Sequence, residues 1–187
     1  MPQRFFELDD DVSFPNRWHL DTPRDSHGQE VDDWDFKSGA LVHLEGRLRI
    51  PIEIAGRPLD FSEAGIRIPV VHVRVASVFM ELAPRDVQLL PVDIEGQPDQ
   101  YLILVATRSL RCIDENASKV QFWQPADGLP EMVGKYYAVD HMRIDRAQVG
   151  DAKVFRPQGW ETALVVSGDI KEALERMGAT GTKFAEV

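Results

Sequence analysis

Residues 87–107, VQLLPVDIEGQPDQYLILVAT, decide the fold class of this 187-residue chain. Val87–Ile94 is a strand-length run of apolar residues. Residues 95–100 hold the Gly and Pro turn signals, and residues 101–107 form a second apolar run. Two such runs about a short polar connection predict a β-hairpin. An isolated hairpin is only marginally stable, so further strands or a helix must cover it.

The flanking sequence supplies both. Leu48, Ile50, Ile52 and Ile54 alternate with Arg49, Pro51 and Glu53, the period-two pattern of a half-buried strand. Pro51 has no N–H to give to a ladder, so this strand is expected at an edge or with a bulge. After Pro69, Val75, Val78, Phe79 and Leu82 fall on one helical face, and Ala83-Pro84 is the expected stop. Downstream, KYYAVDHMRI (135–144) and ALVVS (163–167) read as strands.

The clearest helix follows Ser167. Asp169 suits the positive helix start, Ile170, Ala173, Leu174 and Met177 make an apolar stripe, and Gly178 is placed to close it. Glu172 and Arg176 are spaced to pair at i, i+4. The class expected is α+β: mostly antiparallel strands with a few helices, including this C-terminal amphipathic one. Residues 1–39 read as an acidic, irregular N-terminal arm, packed on the body through Phe5, Phe6, Trp18 and Trp34. Residues 40–187 read as a single α+β domain.

At 43% hydrophobic residues, the chain is able to bury one sizeable core. Its net charge of −10 is concentrated at the front, where residues 1–45 hold 11 acidic against 4 basic side chains. Such a field repels nucleic acid and anionic membranes and attracts cations and basic proteins. Cys112 is the single cysteine, so neither an intrachain disulfide nor a cysteine-based zinc site is expected. The start has no long apolar segment of a secretory signal, and no stretch approaches the roughly 18 apolar residues of a membrane span. A cytoplasmic protein is expected.

The motifs carry little chemistry. Asp9, Asp10 and Asp11, and again Asp33 and Asp35, show the D-x-D spacing that holds a divalent ion in some nucleotide-sugar enzymes. No glycine-rich loop accompanies it, and a solvated acidic face is the favoured reading. His43-Leu44-Glu45 lacks the cysteine pair that zinc deaminases require. His19 and His141 are isolated in sequence, and His27, in DSHGQ, reads as an exposed turn residue. Nucleophile elbows, P-loops and dinucleotide fingerprints are absent. No cofactor is expected.

Taken in order, PNRWHL, DDWDFKSG, RIPIEIAGRPLDF, APRDVQLLPV, CID and VFRPQGWETALVVSGDIKEALERMGATGTKF carry a likeness. The chain resembles the immunity-protein family first named from a myxobacterial protein and formerly called a domain of unknown function. The likeness runs from about Phe6 to Val187. It implies a non-enzyme of a bacterial polymorphic toxin system, which binds and neutralises a cognate toxin made from the adjacent gene.

Asp9, Asp10, Asp11, Asp32, Asp33 and Asp35 are the expected partner-binding acids, imitating phosphates in a basic toxin groove. Trp18 and Trp34 are the expected anchors. Two other readings compete. One is a metal-dependent enzyme using Asp33, Asp35 and His19; the other is a homo-oligomeric interaction domain.

Overall fold

The computed structural model describes residues 3–187. Fourteen strands and two α-helices follow in chain order. They are β1 (Phe5–Asp10), β2 (His19–Leu20), β3 (Leu48–Ile50), β4 (Ile52–Ile54), β5 (Phe61–Ala64), β6 (Ile68–His72), α1 (Val73–Leu82), β7 (Val87–Ile94) and β8 (Tyr101–Ala106). Then come β9 (Ser109–Leu110), β10 (Lys119–Phe122), β11 (Tyr136–Asp140), β12 (Val154–Pro157), β13 (Val165–Ser167), α2 (Gly168–Arg176) and β14 (Thr182–Glu186). Among the described residues, eight of the eleven strand pairings are antiparallel, as an α+β fold of this kind requires.

The β7–β8 hairpin is the hub. It pairs Val87 with Ala106 through to Val92 with Tyr101. β8 is buried at all six positions because both of its faces are covered. Tyr101, Ile103 and Val105 enter one core, and Leu102, Leu104 and Ala106 enter another. This explains the unbroken apolar run, which is the mark of a doubly covered strand.

β7 and β8 belong to a seven-stranded sheet of order β3-β7-β8-β6-β5-β2-β4. Its two outer members, β3 and β4, are separated only by Pro51, so the sheet curls round until its ends are one continuous strand. Backbone bonds complete the seam: Asp21 N donates to Pro51 O at 3.0 Å, and Arg24 and Arg49 exchange bonds of 2.7 and 2.9 Å. The expected effect of Pro51 is thereby met, since a missing donor is tolerated at the corner where the strand changes neighbours. Inside this barrel lie Trp18, Leu20, Phe36, Ile50, Ile68 and their neighbours.

A five-stranded sheet, β14-β1-β13-β12-β9, packs with α1 and α2 against the outside of the barrel. Its far face carries a third core around Phe5, Cys112, Phe155 and Val165. β14 reaches β1 by passing close to the barrel, where Gly181 is held at φ +87° and a Cβ would lie 2.1 Å from the Phe61 carbonyl. A side chain there has no room.

Four local expectations change. Phe5–Asp10, expected inside an irregular arm, is a regular strand hydrogen-bonded on both sides, to β13 and β14. Its acidic residues hid it, because Arg67, which faces Glu7 and Asp9, is distant in sequence. The helix expected after Pro69 starts only at Val73. The β-branched Ile68–His72 run is held as a strand between β5 and β8, and the His72 imidazole then caps α1 by accepting from Arg74 N at 3.2 Å. The strand expected over 135–144 is shorter, because His141 adopts φ +50° immediately after Asp140. On α2, Lys171 pairs with Glu175 at 2.7 Å, in place of the expected Glu172–Arg176 pair.

Candidate functional site

The two aspartate clusters meet different fates. Asp10 is buried and forms a fork with buried Arg17, whose Nη2 donates to Oδ2 at 2.6 Å. A second bond brings Glu63 N to the same oxygen at 3.1 Å. Asp9 pairs with Arg67. Asp11 accepts from the Ser13 hydroxyl at 2.6 Å, which holds its carboxyl below the usual range. In the second cluster, Asp32 caps a short 3-10 turn over Asp33–Phe36 by accepting from Trp34 N at 2.9 Å. Asp33 accepts from Ile66 N at 3.1 Å. Asp32 and Asp35 are solvent-exposed. The clusters therefore do not make one open acidic face: Asp10 is buried and Asp9 half-buried, each paired with an arginine.

The tryptophans also part company. Trp18 is 1% exposed, lies against Tyr101 and donates from Nε1 to Ser62 Oγ at 2.8 Å. It belongs to the barrel core. Trp34 is 60% exposed. Contrary to the expectation that it packs onto the body, its ring stays largely open, with the Lys37 ammonium over it at 4.5 Å. Lys37 itself is buried, gives its Nζ to Ile66 O at 2.7 Å, and has its pKa lowered by that burial.

Trp34 lines a cleft of about 910 Å³. The β10–β11 hairpin, a separate two-stranded sheet, supplies another part of its wall. Tyr136 and Tyr137 are consecutive in β11 and so point to opposite faces. Each carries an aromatic partner from the other arm: Phe122 lies 5.3 Å from Tyr136 and nearly parallel to it, and Trp123 meets Tyr137 edge-on at 4.7 Å. Phe122, Tyr136 and Met132 line the cleft, facing Trp160.

The floor is the turn at Pro157–Trp160, closed by Trp160 N donating to Pro157 O at 3.0 Å. Gly159 takes φ +84°, and a Cβ there would lie 3.0 Å from the Tyr136 ring. Glycine thus serves both the turn and the close approach of the hairpin.

Two of the acids in the lining are occupied. Glu115 accepts from the Tyr136 hydroxyl at 2.6 Å, and Glu161 accepts from Gly159 N at 2.7 Å. Arg111 and Lys135 line the same cleft and are exposed. Among the described residues neither makes an ion pair.

Behind Thr162, at the rim, sits a buried ionic cluster. Arg67 donates to Thr162 Oγ1 at 3.2 Å, and Arg156 to Thr162 O at 3.2 Å. Arg67 also lies 3.6 Å from Glu7 and 3.8 Å from Glu63. It holds φ +61°, a strained setting for a residue with a side chain, kept in place by these carboxylates. Burial pushes Glu63 up to about 7 and Arg156 down to about 10.

The remaining motif residues do not join the cleft. His19 lies in β2 opposite Ile54. Cys112 is buried in the third core, where burial lifts its thiol to about 12, and it acts as a small hydrophobe. Among the described residues no three His, Cys, Asp or Glu side chains are grouped to hold a metal ion, and no helix is long and apolar enough to cross a membrane.

Sequence reasoning reached one residue of the cleft, Trp34, and missed Arg111, Phe122, Lys135, Tyr136 and Trp160. The one available signal was the recurrence of aromatic pairs, Phe122-Trp123 and Tyr136-Tyr137, around a loop with two prolines.

Comparison with known protein families gives a match over nearly the whole chain. The model of a family described as "Immunity protein family (Imm11)" matches residues 6–187. No curated protein matches the chain.

Proposed function

The chain belongs to the immunity protein family (Imm11), and we propose that it binds a cognate bacterial toxin in the cytoplasm and neutralises it by direct contact, without catalysis of its own. The observation that carries this reading is the extent of the family match, nearly the whole chain. The toxin is expected from the adjacent gene of a polymorphic toxin system.

The site chemistry supports a binding role. The cleft offers aromatic and cationic surface, and Glu63 and Arg156, both strongly shifted by burial, lie in the ionic cluster behind it. Concave aromatic surface beside charged groups is the anatomy of a protein interface. The acidic charge has a second place in the reading. Asp32 and Asp35, with Asp11, keep carboxylates that a basic toxin groove would draw in, mainly by speeding association.

The test is co-expression. A host carrying the toxin domain encoded beside this gene survives with the intact gene and dies when it is deleted. Equal survival in both strains would refute the immunity role. For the acidic contribution, the combined D11N, D32N and D35N variant is expected to associate more slowly with the purified toxin, with a weaker dependence on salt.

A further inference from the structure

We propose that the cleft between the β10–β11 hairpin and the Pro157–Trp160 turn is the toxin-docking surface, and that it receives a segment presenting an apolar or aromatic side chain beside a carboxylate. This rests on the reading of the chain as an immunity protein and goes beyond it by fixing the face and the chemistry of its partner.

Apolar contact in the cleft is unmet. Trp34 is 60% exposed, and Phe122, Tyr136 and Trp160 are only partly buried around the cleft. Aromatic side chains contribute most to interface energy when a partner seals them from water.

The chain carries a net charge of −10, yet this lining presents two exposed cations, Arg111 and Lys135, that make no ion pair among the described residues. The carboxylates beside them, Glu115 and Glu161, already accept hydrogen bonds from Tyr136 and Gly159. The donors left for a partner are therefore those of Arg111 and Lys135. A single carboxylate meets those donors with the least added negative charge beside Glu115 and Glu161. A phosphate brings up to two negative charges towards the same two glutamates, which disfavours a nucleotide.

Size agrees with the assignment. A volume of about 910 Å³ holds a few side chains of an inserted loop, and it lies near the upper end, about 1,000 Å³, of small-ligand sites.

The experiment uses the full-length protein and the purified toxin domain encoded by the neighbouring reading frame, with affinity read by calorimetry. The R111E/K135E double variant is expected to weaken binding by about 30-fold or more, the scale of a hot spot. Trp34→Ala is expected to weaken it independently, and R111K/K135R to restore affinity to within about threefold of wild type. The mutated side chains are exposed, so the unfolding midpoint should hold and a lost fold is recognised directly. On the wild-type complex, hydrogen exchange should slow across residues 119–140.

Wild-type protein that binds and protects, with the double variant binding within about twofold of it, would overturn the proposal while leaving the immunity role intact. Wild-type protein that neither binds nor protects would overturn both. AMP binding to the toxin-free protein, lost in the double variant while toxin affinity is unchanged, would assign the cleft to a nucleotide instead.

Discussion

The barrel and the β10–β11 hairpin are built from similar residues and end in opposite states. In the barrel, β8 buries all six of its side chains, because a core lies on each face. In the hairpin, four aromatics stack in two pairs, yet Tyr137 stays 53% exposed and Leu129 and Val133 stay 42% exposed. Both regions satisfy their backbone donors and acceptors by antiparallel pairing. The difference is the covering layer. Burial of apolar area stabilises the barrel at about 25 cal/mol per Å² removed from water. Much of the hairpin's apolar area never leaves water, so stability does not account for its composition.

The sharpest test of this contrast sets one tryptophan against the other. Trp18→Ala empties a fully buried site and orphans the Ser62 hydroxyl bonded to its Nε1. A loss of about 3–5 kcal/mol is expected for a core aromatic. Trp34→Ala removes a ring 60% exposed and should cost within about 0.5 kcal/mol. Urea denaturation of both variants measures the two values. Equal losses would break the distinction between a core and a docking face.

That pair also shows how far the sequence could be read. The hairpin over 87–106 was legible because both strands are long and apolar and the turn residues stand between them. The α2 helix was legible from its stripe and from Gly178. The strand β1 was not. Phe-Phe-Glu-Leu-Asp-Asp looks like an acidic coil until Arg17, Arg67 and Arg156 are known to face it, and Arg67 and Arg156 lie at least 57 residues away in sequence. Nor does local pattern distinguish Trp18 from Trp34. Each stands in a polar, aspartate-rich stretch, and only tertiary neighbours decide which is buried. The cleft was illegible for the same reason, since its walls come from residues 34, 111–115, 122–136 and 158–162.

Between the barrel and the second sheet lies the ionic cluster, which sharpens the comparison through pH. Burial raises Glu63 from the ordinary 4.5 to about 7, against the opposing pull of Arg67 and Arg156 and with the support of Asp9 and Asp10. Glu7 is raised as well, by burial and by Asp9. A carboxyl whose folded value is raised holds a proton that the unfolded chain releases. The stability this contributes is complete below pH 4.5 and is lost as pH climbs to 7. At about 1.4 kcal/mol per unit, the loss attached to Glu63 is at most about 3 kcal/mol. Urea midpoints should therefore fall between pH 5 and pH 8, and Glu63→Gln should flatten much of that slope. An unchanged slope in the variant would remove Glu63 as its source.

The smallest effect is expected in the hairpin, and it is the most informative about function. Tyr137 is exposed and touches Trp123 edge-on, on the face turned away from the cleft. Tyr137→Ser deletes one aromatic contact worth about 0.5–1.5 kcal/mol where buried, and less in water. The expected change in global stability is under about 0.5 kcal/mol, with local opening of residues 119–140 faster by hydrogen exchange. If Tyr137→Ser instead unfolded the chain cooperatively, the hairpin would be part of the core, and its exposed aromatics would need no partner to explain them. If stability holds and toxin binding holds too, the contact face is confined to the Phe122–Tyr136 side, where Arg111 and Lys135 wait for a carboxylate.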